Sequence, residues 1–354
     1  MADESKILIL ALSGIGDALM FTPSLKLIKE KVPNIKIDVL VMFKGVKDIY
    51  DRLDLADDVI FFDFMKQGAV KSLKFILGLR NKYNYSINVY PSNRKEYNII
   101  SLLIGAKNRG AVSYLRDNVK ELGFLNNCLV NENDLLHNVE ENIKITEKLL
   151  GIKAEEISPL LLKLNDADKN YAENYIKEND FSNKFLIGLH AGCSLLKNHI
   201  KRRWEPEKFA ELCKFLIEKK DVVILLFGGP DEDELKKHIF SIVNSNKIHI
   251  VKSKNLTESA ALIKKCKIFI SNDSGLMHIA AAMQVKVIPI IGPTSLNYIR
   301  PWKCDYEAVT LNLECSPCFI YSPKPLSCSR TDIQFKCIKE LTVNHAVNVI
   351  SKYL

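Results

Sequence analysis

The sequence predicts an α/β protein with two open, largely parallel sheets in two domains. Short apolar runs alternate with amphipathic helical stretches along the whole chain. The length, 354 residues, favours two domains of ordinary size over one. The stretch Ile268-Phe-Ile-Ser-Asn-Asp-Ser-Gly-Leu-Met-His-Ile-Ala-Ala-Ala282 reads as a buried strand, a sharp turn and a helix. A helix starting there offers unpaired backbone N–H groups and a positive dipole end, which suit a phosphate. The plainer reading of the same residues is an N-capped helix without a ligand.

In the first half, Lys6 to Leu12 is a buried strand and Ser13-Gly-Ile-Gly-Asp17 a tight turn. Ala18 to Lys31 is a helix, stopped by Pro33-Asn34, and Ile35 to Met42 is a second strand. This β-α-β unit requires a parallel pair and a right-handed crossover. Alternation continues with a short strand over 58–62, a helix over 70–81, a strand over 85–89, a helix over 95–104 and a strand and loop over 106–112. Leu135 to Leu150 is an amphipathic helix stopped by Gly151. Asn165-Asp-Ala-Asp168 caps a helix reaching about Glu178, and the domain boundary is expected between Ile157 and Phe185.

The second half opens with a strand, Phe185 to His190, and its turn, Ala191-Gly-Cys-Ser194. Lys197 to Arg203 is a basic loop running into Trp204, and Pro206 to Lys219 is a helix. Val222 to Phe227 is a strand, and Gly228-Gly-Pro-Asp-Glu-Asp-Glu234 opens the next helix. Leu256 to Lys264 is a short helix before the strand–turn–helix at Ile268. Val285 to Ile291 is a strand closed by Gly292-Pro-Thr-Ser295.

Composition excludes several classes. The apolar fraction of 47% and charged fraction of 26% are those of a water-soluble domain, and no run spans a bilayer. The opening Met1-Ala-Asp-Glu-Ser-Lys6 lacks a basic segment followed by an apolar one, so a secretory leader is not expected and the cytoplasm is. Nine cysteines, an odd number, fit a reducing compartment. The net charge of +8 favours approach to anionic nucleotides, phosphorylated glycolipids or an anionic membrane, or else reflects a drift toward lysine. Basic and aromatic residues do not interleave as nucleic-acid readers need.

Gly14 and Gly16 suggest a dinucleotide fingerprint, but the third glycine position holds Leu19 and Asp38 lies inside its strand instead of ending it. A nicotinamide cofactor is therefore not expected. What remains is a turn that sets Asp17 in the first turn of a helix, at the carboxyl edge of the sheet. There it either acts as a base, its ionised form favoured by the dipole, or merely caps its helix. In the second half Ser194, Lys201, Arg202 and Arg203 offer hydroxyl and cationic groups, Glu232 or Glu234 an acceptor for a ribose hydroxyl, and Ser274 and Gly275 helix-start amides. Converging on one sheet edge, they form a nucleoside-diphosphate site.

These residues fall into a known pattern. Ile7 to Leu25, with its Gly-Asp turn and Thr22-Pro-Ser-Leu25, resembles the opening of the heptosyltransferase family of glycosyltransferases. Asn272-Asp-Ser-Gly-Leu-Met-His-Ile-Ala-Ala281 with Ile291-Gly-Pro-Thr-Ser295, Lys201 to Trp204 with the helix after it, Gly228-Gly-Pro-Asp-Glu232 and Cys315-Ser-Pro-Cys-Phe319 resemble its further signatures, in family order. The resemblance implies a GT-B fold: two Rossmann-like domains facing across a cleft, residues 1–165 on the acceptor side and 180–335 on the donor side. Residues 336–354 would form a C-terminal helix returning to the first domain.

It further implies metal-independent, inverting transfer of a sugar, typically heptose from ADP-heptose, to a lipopolysaccharide core precursor or related glycolipid. Asp17 would be the general base, with Ser13, Gly14 and Gly16 forming the acceptor-side loop. Ser194, Lys201, Arg202, Glu232, Asp273, Ser274, Gly275, Leu276 and His278 would bind the donor. No cofactor is implied. The sequence departs from the pattern two places before Trp204, where the usual lysine is Arg202 beside Lys201. Residues 44–131 carry no decodable signature.

Cys315, Cys318, Cys328 and Cys337 offer four thiolates to a zinc ion, but the second pair is not a knuckle and Pro317 sits inside the first, so free thiols are the expectation. Two other function classes fit the same architecture: a nucleotide-sugar epimerase, which turns over donor alone, and a non-catalytic nucleotide-sugar binder, which would tolerate loss of Asp17. A transferase of the family with another donor is a further alternative. No amphipathic anchor stands out in the sequence, so contact with the inner face of the membrane is expected to be peripheral and salt-sensitive.

Overall fold

The computed structural model describes residues 5–194, 196–219, 221–319 and 325–354; the first four residues of the N-terminal reading lie outside them. The chain divides into two compact units, Met1–Lys163 and Leu164–Leu354. Each is an all-parallel sheet with helices on its faces, as the alternating apolar runs and amphipathic helices require.

In the first unit the strands are β1 (Lys6–Ala11), β2 (Lys36–Val41), β3 (Asp58–Phe61), β4 (Tyr85–Asn88), β5 (Asn108–Ser113) and β6 (Cys128–Asn131). The helices are α1 (Ile15–Lys31), α2 (Lys44–Asp51), α3 (Phe64–Gly78), α4 (Lys95–Ile104) and α5 (Asn138–Leu150). The strand order is β3-β2-β1-β4-β5-β6, with Ile9 opposite Val39 on one side and Ile87 on the other. This is the order of a dinucleotide-binding domain, although the fingerprint glycines are incomplete. The direction of winding reverses between β1 and β4. Above that switch point lie the turn after Leu12 and the Tyr90-Pro91-Ser92-Asn93 turn.

α1 runs unbroken through Pro23. Proline cannot donate to the Leu19 carbonyl, and the Thr22 hydroxyl does so instead at 2.7 Å. Thr22 also accepts from the Leu161 amide at 2.9 Å, so one buried hydroxyl satisfies a helix defect and pins the end of the unit. Gly151, at φ 65°, terminates α5 in the left-handed conformation that glycine adopts without cost.

The second unit comprises α6 (Asp166–Glu178), β7 (Phe185–His190), α7 (Pro206–Ile217), β8 (Val222–Leu226), α8 (Asp233–Val243), β9 (Ile248–Ile250), α9 (Leu256–Ile263), β10 (Ile268–Asn272), α10 (Gly275–Ala282), β11 (Lys286–Ile290), α11 (Leu296–Ile299), α12 (Lys336–Lys339) and α13 (Val343–Ile350). Its order, β11-β10-β7-β8-β9, places the switch between β7 and β10. Asn165 caps α6 through a reciprocal pair with Asp168, and Asp168 accepts from Thr257 at 2.8 Å, tying α6 to α9.

The basic segment before Trp204 is a 3-10 turn, Leu196–Arg202, and not an open loop. The C-terminal helix, which the family pattern sends to the first domain, packs on α7 of the second. Val343, Ala346 and Ile350 make a stripe at three- and four-residue spacing, and that stripe is buried in the second unit's core.

Candidate active site

The first sheet edge is built from the turn that ends β1. Gly14 is the N-cap of α1, and Asp17 follows in the helix's first turn, half-buried. The dipole at that position favours the carboxylate. Ser13 donates to the Pro91 carbonyl at 3.1 Å, joining the β1 turn to the β4 turn across the switch point. Tyr97, on α4, donates to the Leu12 carbonyl at 2.8 Å, and Tyr50, on α2, to the Ala18 carbonyl at 2.9 Å. Burial raises both phenol pKa values; at Tyr97 Arg94 opposes the rise, and the Asp17 charge adds to it at both. Asn142, from α5, clasps the Tyr90 backbone on both sides, accepting from its amide at 2.8 Å and donating to its carbonyl at 3.1 Å.

The second edge gathers side chains from several segments above the β7/β10 switch. β10 delivers Asn272, which donates to the Ala191 carbonyl at 2.7 Å and accepts the Trp204 amide at 3.0 Å. Trp204 is fully buried and donates its indole N–H to the Leu341 carbonyl at 2.7 Å. One amide side chain thus fixes the β7 turn and the start of the arginine segment together. Of the cationic run, Lys201 is exposed, while Arg202 and Arg203 turn inward. Arg202 meets Asp273 at 2.6 Å, and Thr294 donates to the same carboxylate oxygen at 2.8 Å. Arg203 lies 3.4 Å from Glu232. The Nε–H groups of both arginines are buried without a partner among the described residues.

His190 is the centre of this edge, and sequence reasoning read it only as the last residue of a strand. Its Nδ1 is 2.9 Å from the Ser274 hydroxyl and its Nε2 is 2.9 Å from Glu232 Oε2. Gly229 donates its amide to the same Glu232 oxygen at 3.1 Å. Burial pushes the Glu232 carboxyl up, but His190, the Gly229 amide and Arg203 outweigh it and hold the group below the usual range. A side chain at Gly192 would collide with the Glu232 carboxylate and displace it. The Ser274 hydroxyl is committed to His190 and to Ser271, at 3.0 Å, and does not cap α10. The start of α10 at Gly275 and Leu276 therefore lacks a side-chain cap and is partly exposed, an open anion-binding terminus. Ser194, exposed, lies at the rim after Cys193.

His278 is buried in α10, and its Nδ1 has no partner among the described residues. Burial, opposed by Asp273 and assisted by Arg202, lowers its pKa to about 4 from 6.5. The unfolded chain binds a proton at this site below pH 6.5 and the folded chain does not. Stability from this residue is complete above about pH 6.5 and falls as pH drops toward 4, by up to about 3 kcal/mol. Urea titrations of the wild type and His278→Gln across that window should show a shallower acid decline in the variant. Parallel declines would remove His278 as the cause.

Among the described residues no group of three or more His, Cys, Asp or Glu is placed to hold an ion. All nine cysteines are free. Cys328 accepts from the Phe335 amide at 3.2 Å, and burial, with the neighbouring Cys318, Cys328 and Cys315, raises the Cys337 thiol to about 11. No helix among the described residues is long and apolar enough to cross a membrane.

Two Rossmann-like units, one with a carboxylate and one with an open phosphate-type terminus at its switch point, are the architecture of the GT-B class. Residues 98–325 match the model of glycosyltransferase family 9 (heptosyltransferase), and the chain belongs to that family. It is 26% identical to lipooligosaccharide heptosyltransferase 2 of Campylobacter jejuni over 95% of this chain and 94% of that one. It is 25% identical to lipopolysaccharide heptosyltransferase 2 of Escherichia coli K12, covering 84% and 85% of the two chains. Among solved structures it superposes on E. coli ADP-heptose lipopolysaccharide heptosyltransferase II with a TM-score of 0.73 at 20% identity, covering 98% of each. An E. coli heptosyltransferase solved with ADP gives 0.67 at 19% identity, with 98% and 97% covered.

Proposed function

We propose that this glycosyltransferase moves heptose from ADP-heptose to a lipopolysaccharide core or related glycolipid acceptor, with inversion and without a metal ion. The acceptor hydroxyl oxygen attacks the anomeric carbon as Asp17 takes its proton. The bond from that carbon to the diphosphate oxygen breaks, and its electron pair leaves with ADP. The observation that carries this reading is the uncapped start of α10 beside Arg202 and Arg203, each arginine keeping a buried Nε–H without a partner among the described residues. Such donors stabilise the charge that develops on a departing diphosphate, a contribution of several kcal/mol. Cationic groups supplied by the protein fill the role a divalent metal would otherwise take.

Within the site, Asp273 holds Arg202 in place and Ser274, Gly275 and Leu276 face the diphosphate, with Lys201 and Ser194 at the rim. Glu232 keeps Oε2 on His190 and Gly229 while Oε1 accepts a ribose hydroxyl. The names of the relatives, all heptosyltransferases of lipooligosaccharide or lipopolysaccharide, support heptose and a glycolipid acceptor.

Calorimetric titration with ADP, UDP and GDP, with and without magnesium, tests the donor half. ADP is expected to bind at least tenfold more tightly than UDP or GDP, with no change on adding metal or chelator. Preference for UDP or GDP would retain the family and overturn ADP-heptose as donor.

A further inference from the structure

Among the described residues no element covers the outward face of α3, and its composition specifies what should cover it. Gly68, at φ 73°, interrupts the helix, and the segment 69–78 follows as its second part. Ile76 and Leu79 are buried and Phe75 packs against the same core, with Phe75 stacked on Phe62 at 4.1 Å. Val70, Leu73 and Leu77 recur at three- and four-residue spacing on the opposite face. They are 83%, 45% and 44% exposed, values that core residues never show.

The neighbouring helix also exposes apolar side chains. α3 contacts α4, where Ile99 and Leu102 are also exposed. Exposed apolar side chains on adjacent helices, rimmed by polar groups, suit a docking site.

The charge along α3 beyond its N-cap, Asp63, has one sign, while α4 carries Glu96 beside Lys95. From Phe64 to Lys82 the chain carries Lys66, Lys71, Lys74, Arg80 and Lys82 and no Asp or Glu. All five cations are exposed, and Lys71 and Lys74, which flank the apolar stripe, have no ion-pair partner among the described residues. An apolar stripe bordered by unpaired lysines on a surface helix suits a helix lying in the plane of a bilayer. The apolar side chains enter the acyl boundary and the lysines meet lipid phosphates.

We propose that α3, with the exposed face of α4, is the surface by which this protein docks onto an anionic membrane. α4 begins beside the turn that carries Asp17, since Tyr97 bonds to the Leu12 carbonyl. A docked α3–α4 face therefore sets the first sheet edge near the lipid headgroups. The surface itself is independent of the reading of donor and acceptor.

Co-sedimentation of the full chain with vesicles decides it. The wild type is expected to bind vesicles of phosphatidylethanolamine and phosphatidylglycerol at least tenfold better than vesicles of phosphatidylcholine, with release at high salt. Lys71→Gln with Lys74→Gln should weaken binding by about fivefold per lysine. Leu73→Glu with Leu77→Glu should abolish it. All these side chains are exposed, so melting temperature and ADP affinity should not change in either variant. Equal binding to phosphatidylcholine, or undiminished binding by the Leu73→Glu, Leu77→Glu variant, would overturn the proposal. So would a wild type that ignores vesicles and is dimeric by light scattering while that variant is monomeric, since the face would then hold a second copy. Failure of ADP to bind would leave this result untouched and would count against the proposed donor alone.

Discussion

Asp17→Asn is expected to lower kcat for sugar transfer by about a thousandfold, inside the range a positioned general base contributes. That loss corresponds to about 4 kcal/mol of barrier. Asparagine has nearly the same shape and remains a polar group in the first turn of α1, so the turn built on Ser13, Gly14 and Gly16 should survive. It cannot accept a proton near neutral pH. The neighbouring phenols cannot replace it, because Tyr50 and Tyr97 spend their protons on the Ala18 and Leu12 carbonyls. Burial also raises the pKa of both. ADP release in the presence of ADP-heptose and acceptor measures kcat, and calorimetry measures ADP affinity, which should stay within twofold. A loss below tenfold would remove Asp17 from the role of base. A parallel collapse of ADP affinity would instead mean a misfolded variant.

Much of the fold could be read from the chain because each buried strand carries its own signal. β7 spans Phe185–His190 and α4 spans Lys95–Ile104, the bounds that the apolar run and the helical spacing indicate. The elements with no sequence signal are short or lie at an edge. β6 and β9 are the terminal strands of their sheets, and β9 has three residues, too few to show alternation. α2 is one brief amphipathic stretch.

At the candidate site, Asp17 and Ser274 stand out because each sits in a strand–turn–helix, a local pattern. His190 does not, since its partners Glu232 and Ser274 are 42 and 84 residues away. Nor does the run Lys201-Arg202-Arg203 reveal which charges turn inward. That depends on Asp273 and Glu232, which lie in the turns after β10 and β8. The stripe Val70, Leu73, Leu77 shows the opposite limit: its spacing is plain in the sequence, but spacing alone cannot say whether a face meets the core or solvent.

Gly192→Ala should cost about 3 kcal/mol of folding stability and at least tenfold in ADP affinity, although the change adds one methyl group. The new Cβ would lie 1.6 Å from Glu232 Oε1 and 2.3 Å from its carboxyl carbon. Either the end of β7 shifts or the carboxylate swings away. Ala191 is held by Asn272 at 2.7 Å, so the carboxylate is the part that moves. Its departure strips His190, the Gly229 amide and Arg203 of their common acceptor. Hydrogen bonds to a charged group contribute about 1.5–3 kcal/mol each, and the exposed ones recover part of that from water. The same movement removes the proposed ribose acceptor, hence the loss of affinity. A double-mutant cycle isolates the cause, because Glu232→Ala deletes the atoms that clash. If the collision is the origin, Gly192→Ala adds little to a chain that already carries Glu232→Ala. Additive losses in urea titration would place the strain in the β7 turn and free Glu232 of the role assigned to it.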